Sequence, residues 1–205
     1  MDKTAWNNED ICSHIVNANF PPLPYSDHFP SLNFCIKQIS SSCKKIIDLG
    51  CCSAEFASAF PQFDYCGADL PHIIENVSKI KNPNVDYISF DATKDDFDFC
   101  KHFDIVLMNA FISELPDPLP ILEKILQKST GYILIHRQDV TNLPEQNGHK
   151  EEVYPTYGDL DTINTTLNEE NFMDVVERNN FSIKVNIPSF PGSEIRKTIL
   201  MKKND

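Results

Sequence analysis

The sequence IIDLGCCSAEF, residues 46–56, decides the fold of this 205-residue chain. Its apolar start, Ile46 and Ile47, is typical of a buried strand, and Asp48 and Gly50 stand where that strand ends. Small residues then lead into a predicted helix over 54–60. A strand, a turn of small residues and a helix bring backbone N–H groups to a helix start, where α/β proteins bind nucleotides.

Acids and amides close four of the predicted strands. They are Asp48, Asp69, Asp91 and Asn109, which follow or end the strands over 45–49, 64–69, 85–90 and 103–108. Strands and helices alternate from residue 31 to residue 187, which predicts a mostly parallel sheet with helices on both faces. Since ligands bind at the carboxyl ends of the strands in such sheets, these side chains predict a binding edge. Each of them could instead cap a helix.

The turn after the first strand resembles the first motif of class I S-adenosylmethionine-dependent methyltransferases. Asp48 and Gly50 match that motif, while Cys52 and Ala54 stand where its second and third glycines occur. The run DLPHII (69–74) resembles small-molecule O-methyltransferases, and the stretch 103–135 resembles the family from its fourth to its fifth strand. The resemblance covers roughly residues 44–203.

The resemblance implies a three-layer α/β sandwich. Its mostly parallel seven-stranded sheet would end in an antiparallel β-hairpin, formed here by 182–187 and 197–202. Residues 1–30 would form an N-terminal strap or cap, with Trp6 or Tyr25 over the site, or a strap packed on the surface. Residues 31–205 would form one domain, with an inserted functional loop at about 138–167.

The resemblance also implies S-adenosylmethionine as the cofactor and S-adenosylhomocysteine as its product. Asp69 would bind the ribose hydroxyls, because a carboxylate accepts two charge-assisted hydrogen bonds, and Asp91 with Ala92 would contact the adenine. The expected cofactor-binding residues are Asp48, Gly50, Cys52, Ser53, Asp69, Leu70, Asp91, Ala92 and Asn109.

Catalysis would consist mainly of aligning the nucleophile with the methyl group and excluding water. A hydroxyl or carboxyl acceptor would gain from a general base within hydrogen-bond reach. His136, at the end of the fifth predicted strand, is the first candidate, and Asp139, Glu114 and His149 follow. His136 could instead be structural, and Arg137 could hold an acidic acceptor.

The composition restricts the partners. A net charge of −12 argues against a nucleic-acid backbone or an anionic membrane and favours a small-molecule acceptor, with O-methylation preferred. No apolar run approaches the ~20 residues needed to span a bilayer. The polar N-terminus predicts a cytoplasmic protein without a secretory signal. The six histidines are dispersed, so no metal site is expected, and the oligomeric state stays open.

Further alternatives concern the residues of the turn and the cysteines of the chain. Side chains at Cys52 and Ala54 crowd the approach of a ligand, so the alternative function is a catalytically silent methyltransferase-like binding or scaffolding module. The seven cysteines are expected to be small buried thiols of a reducing compartment, or Cys51 or Cys52 is reactive. A nicotinamide-dependent oxidoreductase would need G-x-G-x-x-G where this chain has GCCSAE.

Overall fold

The computed structural model describes residues 6, 10–18, 21–142, 149–157 and 160–204. Over this part of the chain, the strands are β1 Lys45–Leu49, β2 Asp64–Asp69, β3 Asp86–Ser89, β4 Ile105–Asn109, β5 Tyr132–Thr141, β6 His149–Tyr157, β7 Leu160–Asn168, β8 Phe181–Pro188 and β9 Arg196–Lys203. The helices are α1 Asp10–Asn17, α2 Phe29–Lys37, α3 Phe56–Ala59, α4 (71–81, with a π-helical turn at Ile74–Ser78), α5 Pro118–Lys128 and α6 Glu169–Arg178. Short 3₁₀ turns occur at Leu23–Tyr25, Asp98–His102 and Ile112–Glu114.

The central sheet has the predicted arrangement. Its parallel part runs β3-β2-β1-β4-β5, so the first strand lies in the middle and the carboxyl ends of β1, β2 and β4 meet at one edge. Strand β9 pairs antiparallel with β5, and β8 pairs antiparallel with β9. The mostly parallel sheet with a terminal antiparallel hairpin is therefore confirmed.

The segment predicted as an inserted loop at about 138–167 is largely strand. Strand β5 continues to Thr141, β6 and β7 form an antiparallel hairpin, and β7 joins the end of β5 in parallel. The sheet therefore contains nine strands over the described residues, rather than the seven expected. Three buried residues of β7 are threonines, Thr162, Thr165 and Thr166. Threonine is β-branched and suits a strand, but it is polar, so this segment lacks the apolar pattern that predicts one.

The sheet is buried on both faces. Ile47, Leu49, Val106 and Met108 pack in the cluster that holds α5 and α6. The residues alternating with them, Ile46, Ile105 and Leu107, pack in a second cluster with α2 and α3. Side chains of successive strand residues point to opposite faces, so apolar runs in β1 and β4 serve both layers. This is the predicted three-layer sandwich.

The N-terminal part differs from the sequence interpretation in two ways. Helix α1 was not predicted, and its Ile11 and Ile15 pack against Ile73 of α4. Helix α2 was expected to begin after Ser31 as the N-cap, but it begins at Phe29 with a proline in its first turn, where a missing N–H costs nothing. The Ser31 hydroxyl instead donates to the carbonyl oxygens of His28 and Ser189.

Candidate cofactor and acceptor site

A cavity of about 480 Å³ lies at the carboxyl ends of β1, β2 and β4. This volume falls within the ~300–1,000 Å³ typical of small-molecule sites. All the residues expected to bind the cofactor line it: Asp48, Gly50, Cys52, Ser53, Asp69, Leu70, Asp91, Ala92 and Asn109. The fold brings these dispersed positions to one cavity, while the contact predicted for each with the cofactor stays a prediction.

The turn after β1 keeps a glycine-like backbone path without the glycines. Gly50 has φ +70°, and a Cβ atom there would lie 2.7 Å from Cδ2 of Phe111, so only glycine fits. Cys52 and Ala54 have φ of 46° and 55°, in the left-handed region that glycine favours. Such a conformation costs an L-residue roughly 1–2 kcal/mol. The chain therefore accepts strain at two positions to preserve the turn.

Asp69 ties this turn to the end of β2. Its carboxylate accepts the backbone N–H of Cys52 at 2.8 Å and that of Leu70 at 2.7 Å. Burial raises the pKa of Asp69 to about 6, although both hydrogen bonds act in the opposite direction. A carboxylate has about four acceptor positions, so each oxygen can receive a further hydroxyl from the cavity.

Asp48 carries the polar atom that most needs a ligand. Its side chain is 1% exposed, and Oδ2 accepts the Tyr65 hydroxyl at 2.6 Å. Oδ1 is buried without a hydrogen-bond partner among the described residues. Burial raises the pKa of Asp48 to about 7, the Tyr65 hydrogen bond lowers it and the Asp69 carboxylate raises it. A cationic group of a ligand bound in the cavity would compensate this orphaned acceptor.

Asp91 lies at the opposite end of the row of acids and already has partners. It accepts the N–H and the hydroxyl of Thr93 and an ion-pair contact from Lys94 at 2.6 Å. Burial alone would raise its pKa, but these hydrogen bonds outweigh burial and lower it. Phe90 and Phe111 stand beside it in the cavity wall with ring centroids 6.3 Å apart, and they offer apolar surface for a flat ring.

The cavity is also lined by residues from distant parts of the chain. Trp6, His28, Glu114 and Arg137 line it, whereas Tyr25 is 80% exposed and stands outside. The Trp6 indole N–H donates to Glu114, and Nε of Arg137 donates to Asn109 at 2.8 Å. Burial raises the pKa of Glu114 to about 7, while the Trp6 hydrogen bond lowers it. An acid of this pKa in a cavity can exchange protons near neutral pH.

The two residues first predicted as catalytic lie behind the cavity wall. His136 is 0% exposed, and its Nε2 lies 2.9 Å from Nδ1 of the cavity residue His28. Asp139 is 4% exposed and accepts two bonds from Arg196, at 2.6 and 2.7 Å. It also accepts an amide N–H of Asn164. Neither residue is among the described residues that line the cavity. Asp139 instead links its own strand β5 to β9 through Arg196 and to β7 through Asn164.

His28 escaped the sequence interpretation. It precedes Phe29 and Pro30 in a segment without periodicity, and only the folded chain brings it next to His136. Burial, followed by the nearby Asp69 carboxylate, raises the pKa of the Cys51 and Cys52 thiols well above the usual value, which disfavours the reactive thiolate form. Over the described residues, no group of acids, histidines and cysteines could hold a metal ion, and no helix could span a membrane.

The comparisons with known proteins agree with this geometry. A family model described as a methyltransferase domain matches residues 9–184. Among solved structures, an S-adenosylmethionine-dependent methyltransferase from Clostridium acetobutylicum gives a TM-score of 0.64 at 12% identity, covering 96% of this chain and 97% of that one. No curated protein sequence matches the chain.

Two further similar structures are described as methyltransferases of an amino pentose and of a sugar. An amino pentose methyltransferase from Micromonospora echinaspora, with S-adenosylmethionine bound, gives a TM-score of 0.63 at 10% identity and covers 92% of this chain and 99% of that one. A sugar N-methyltransferase from Streptoalloteichus gives a TM-score of 0.61 at 11% identity and covers 88% of this chain and 88% of that one. At such identities the likeness shows the fold, while the family model covers most of the chain. The chain belongs to the methyltransferase family and has the class I fold of its S-adenosylmethionine-dependent members.

Proposed function

We propose that this protein transfers the methyl group of S-adenosylmethionine to a hydroxyl of a small molecule. The observation that carries the proposal is one cavity that is lined both by the acids at the ends of β1 and β2 and by Glu114 and His28. Bound S-adenosylmethionine supplies an electrophilic methyl group on a sulfonium and leaves as the neutral thioether S-adenosylhomocysteine. The chain's own task is then to hold both reactants, exclude water and take up a proton.

The cofactor half would be built around two carboxylates. Asp69 accepts the ribose hydroxyls with the acceptor positions that its backbone bonds leave over. The orphaned Oδ1 of Asp48 receives a cationic group of the cofactor, which removes the cost of a buried unpaired acceptor. Ser53 and Leu70 border this half, and Ala92 lies beside the aromatic wall where the adenine would stack.

The acceptor half would use Glu114 as the general base. Glu114 lines the cavity, and its pKa of about 7 lies near neutral pH, where a base has both the correct protonation state and sufficient driving force. His136 and Asp139 lack a place in the cavity wall, so Glu114 takes the role first assigned to them. We also propose that residues 1–30 act as a cap, because Trp6, Leu23 and His28 of this segment line the cavity.

The acceptor class rests on two supports. The net charge of −12 disfavours a nucleic-acid backbone. The enclosed volume of about 480 Å³ suits a cofactor and a small molecule. Two of the similar structures are described as an amino pentose methyltransferase and a sugar N-methyltransferase, so amines belong beside alcohols among the compounds to be tested.

Calorimetric titration with S-adenosylmethionine and S-adenosylhomocysteine tests the cofactor assignment. We expect micromolar binding, with at least about tenfold weaker binding in Asp69→Asn because a charge-assisted hydrogen bond becomes a neutral one. Glu75→Gln, an exposed acid on α4 paired with Lys79, is the matched control and should bind as the wild type does. Absence of binding at millimolar concentration would refute the proposal.

A methylation panel tests the reaction. Small alcohols, phenols, carboxylates and amines are incubated with S-adenosylmethionine, and release of S-adenosylhomocysteine is measured. We expect Glu114→Gln to lower kcat by about 10²–10⁴-fold with unchanged affinity for S-adenosylhomocysteine. Tight cofactor binding without turnover of any compound would instead favour the silent binding module.

A further inference from the structure

His28 borders the cavity, and a described residue of the protein engages only one of its two ring nitrogens. The residue lines the cavity, and its Nδ1 is directed at the fully buried His136, 2.9 Å away. Nε2 has no hydrogen-bond partner among the residues that the structure describes. Whether this nitrogen carries a proton decides which molecules His28 can bind, because a protonated Nε2 donates and a bare Nε2 accepts.

A chain of hydrogen bonds runs from His28 into the core. His136 Nδ1 lies 2.7 Å from Oγ1 of Thr198. Thr198 Oγ1 lies in turn 3.1 Å from the Ser31 hydroxyl and 2.9 Å from the Ser189 hydroxyl. His136 and Thr198 are both 0% exposed. Each hydrogen bond of this network must therefore be made between protein groups, without water.

Backbone groups that can only donate or only accept a hydrogen bond fix the roles of Ser31 and Ser189 in this network. The Ser31 hydroxyl donates to the carbonyl oxygens of His28 and Ser189, at 2.8 and 3.0 Å, and carbonyl oxygens can only accept. The backbone N–H of Arg137 donates to the Ser189 hydroxyl at 3.2 Å. Ser31 therefore has no proton left for Thr198, while Ser189 has its own proton to give to Thr198.

These constraints determine where the imidazole protons lie. Thr198 gives its one proton to Ser31, so towards His136 it accepts, and His136 must carry a proton on Nδ1. His136 Nε2 is then bare and accepts Nδ1–H of His28, which leaves Nε2 of His28 bare as well. The opposite assignment would turn Thr198 towards His136 and lose the bond to Ser31, and a lost bond is costly in a buried network.

Both rings are neutral at neutral pH, as this assignment requires. The pKa of His28 is lowered to about 4, with burial as the largest cause and the Arg137 guanidinium acting in the same direction, while Asp27 opposes both. Burial also lowers the pKa of His136 well below its usual value, with His28 and Arg137 as the next causes.

We propose that His28 presents a bare Nε2 to the cavity and accepts a hydrogen bond from a second donor group of the methyl acceptor, beside the hydroxyl that Glu114 deprotonates. This inference rests on the proposed function and names its substrate class, a small polyol or amino alcohol with at least two hydrogen-bond donors. His136, Thr198 and Ser31 are positioning residues that fix the tautomer of His28. The site would thereby discriminate against analogues in which the second donor is absent or methylated.

The tautomer can be measured without any acceptor. Long-range ¹H–¹⁵N spectra of labelled protein at neutral pH, with S-adenosylhomocysteine present, separate proton-bearing from pyridine-like ring nitrogens. We expect the proton on Nδ1 and a pyridine-like Nε2 in both His28 and His136, the tautomer that free histidine disfavours. His28→Gln and His136→Gln assign the signals. A proton on Nε2 of His28 overturns the proposal.

Variants at Thr198 separate positioning from mere packing. Thr198→Val removes the acceptor for Nδ1–H of His136 and should abolish the tautomer preference of both rings, whereas Thr198→Ser should retain it. An unchanged tautomer in a folded Thr198→Val protein would overturn the role of Thr198.

The acceptor class is tested by pairs of compounds that differ in one donor. For a compound that the methylation panel identifies, the analogue lacking the second donor should show about tenfold lower kcat/KM. This difference should disappear in His28→Phe, with unchanged affinity for S-adenosylhomocysteine. Equal kcat/KM for both compounds in the wild type overturns the proposal. Failure of the wild type to bind cofactor refutes the proposed function instead, so the two failures are distinct.

Discussion

Replacing Ala54 by glycine tests whether the turn after β1 is strained. Ala54 has φ 55° and is 0% exposed. Removing its buried methyl group costs about 0.8 kcal/mol, and the added freedom of the unfolded chain costs about 0.4–1 kcal/mol. Relief of the left-handed conformation returns roughly 1–2 kcal/mol. We therefore expect a change in unfolding free energy within about 0.8 kcal/mol of zero.

Ala57→Gly is the matched control, because it makes the same chemical change in helix α3, three residues further on. There the substitution relieves no strain and should cost about 1 kcal/mol. In a chain of this length this corresponds to about 2–4 °C in Tm. Urea and thermal unfolding of both variants measure the comparison.

A loss of stability in Ala54→Gly as large as that in Ala57→Gly would refute the strain argument. The same variant addresses the missing glycines of the motif. Because the backbone path already has the left-handed conformation at this position, we expect Ala54→Gly to bind S-adenosylhomocysteine at least as tightly as the wild type. Calorimetry provides that value.

Three further outcomes are expected. Burial raises the pKa of Asp48 to about 7, so the stability that its protonated form contributes is present below the ordinary value of 3.8 and lost as the pH rises through about 7. The Tm of the ligand-free protein should therefore fall between about pH 4 and pH 7, and less steeply in Asp48→Asn. Asp139→Ala should lower the unfolding free energy by about 1.5–3 kcal/mol, because it removes the ion-pair partner of the partly exposed Arg196 and leaves that side chain, among the described residues, only its bond to Asn164, but spare cofactor affinity. Alkylation followed by mass spectrometry should find Cys51 and Cys52 slow to react in the native protein at neutral pH, and fast labelling would restore the reactive-thiol alternative.

The row of acids and an amide at the edge of the cavity could be predicted from sequence because its parts are local. Asp48, Asp69, Asp91 and Asn109 each stand at the end of an apolar run, and a parallel sheet brings such ends to one edge whatever the details of packing. The terminal hairpin was equally visible, since β8 and β9 follow each other along the chain and pair with each other.

Trp6, Glu114 and Arg137 were candidates from the sequence, but their pairing and the place of His28 could not be predicted, because these residues meet only through tertiary contacts. Trp6 reaches Glu114 across 108 residues, and His28 reaches His136 across the same separation. Neither pair leaves a periodic signal in the sequence.

The amino-acid sequence by itself predicted a mostly parallel sheet with a terminal antiparallel hairpin and a row of acids and an amide at the carboxyl ends of its strands. These features follow from the spacing of apolar residues and from turn residues, and both signals extend over only a few neighbouring positions. Only the tertiary structure decided that His136 and Asp139 lie behind the wall, that β6 and β7 replace a loop, and that Glu114 and His28 enter the cavity. Burial and hydrogen-bond partners from distant segments set these roles, and the pKa shifts follow from them.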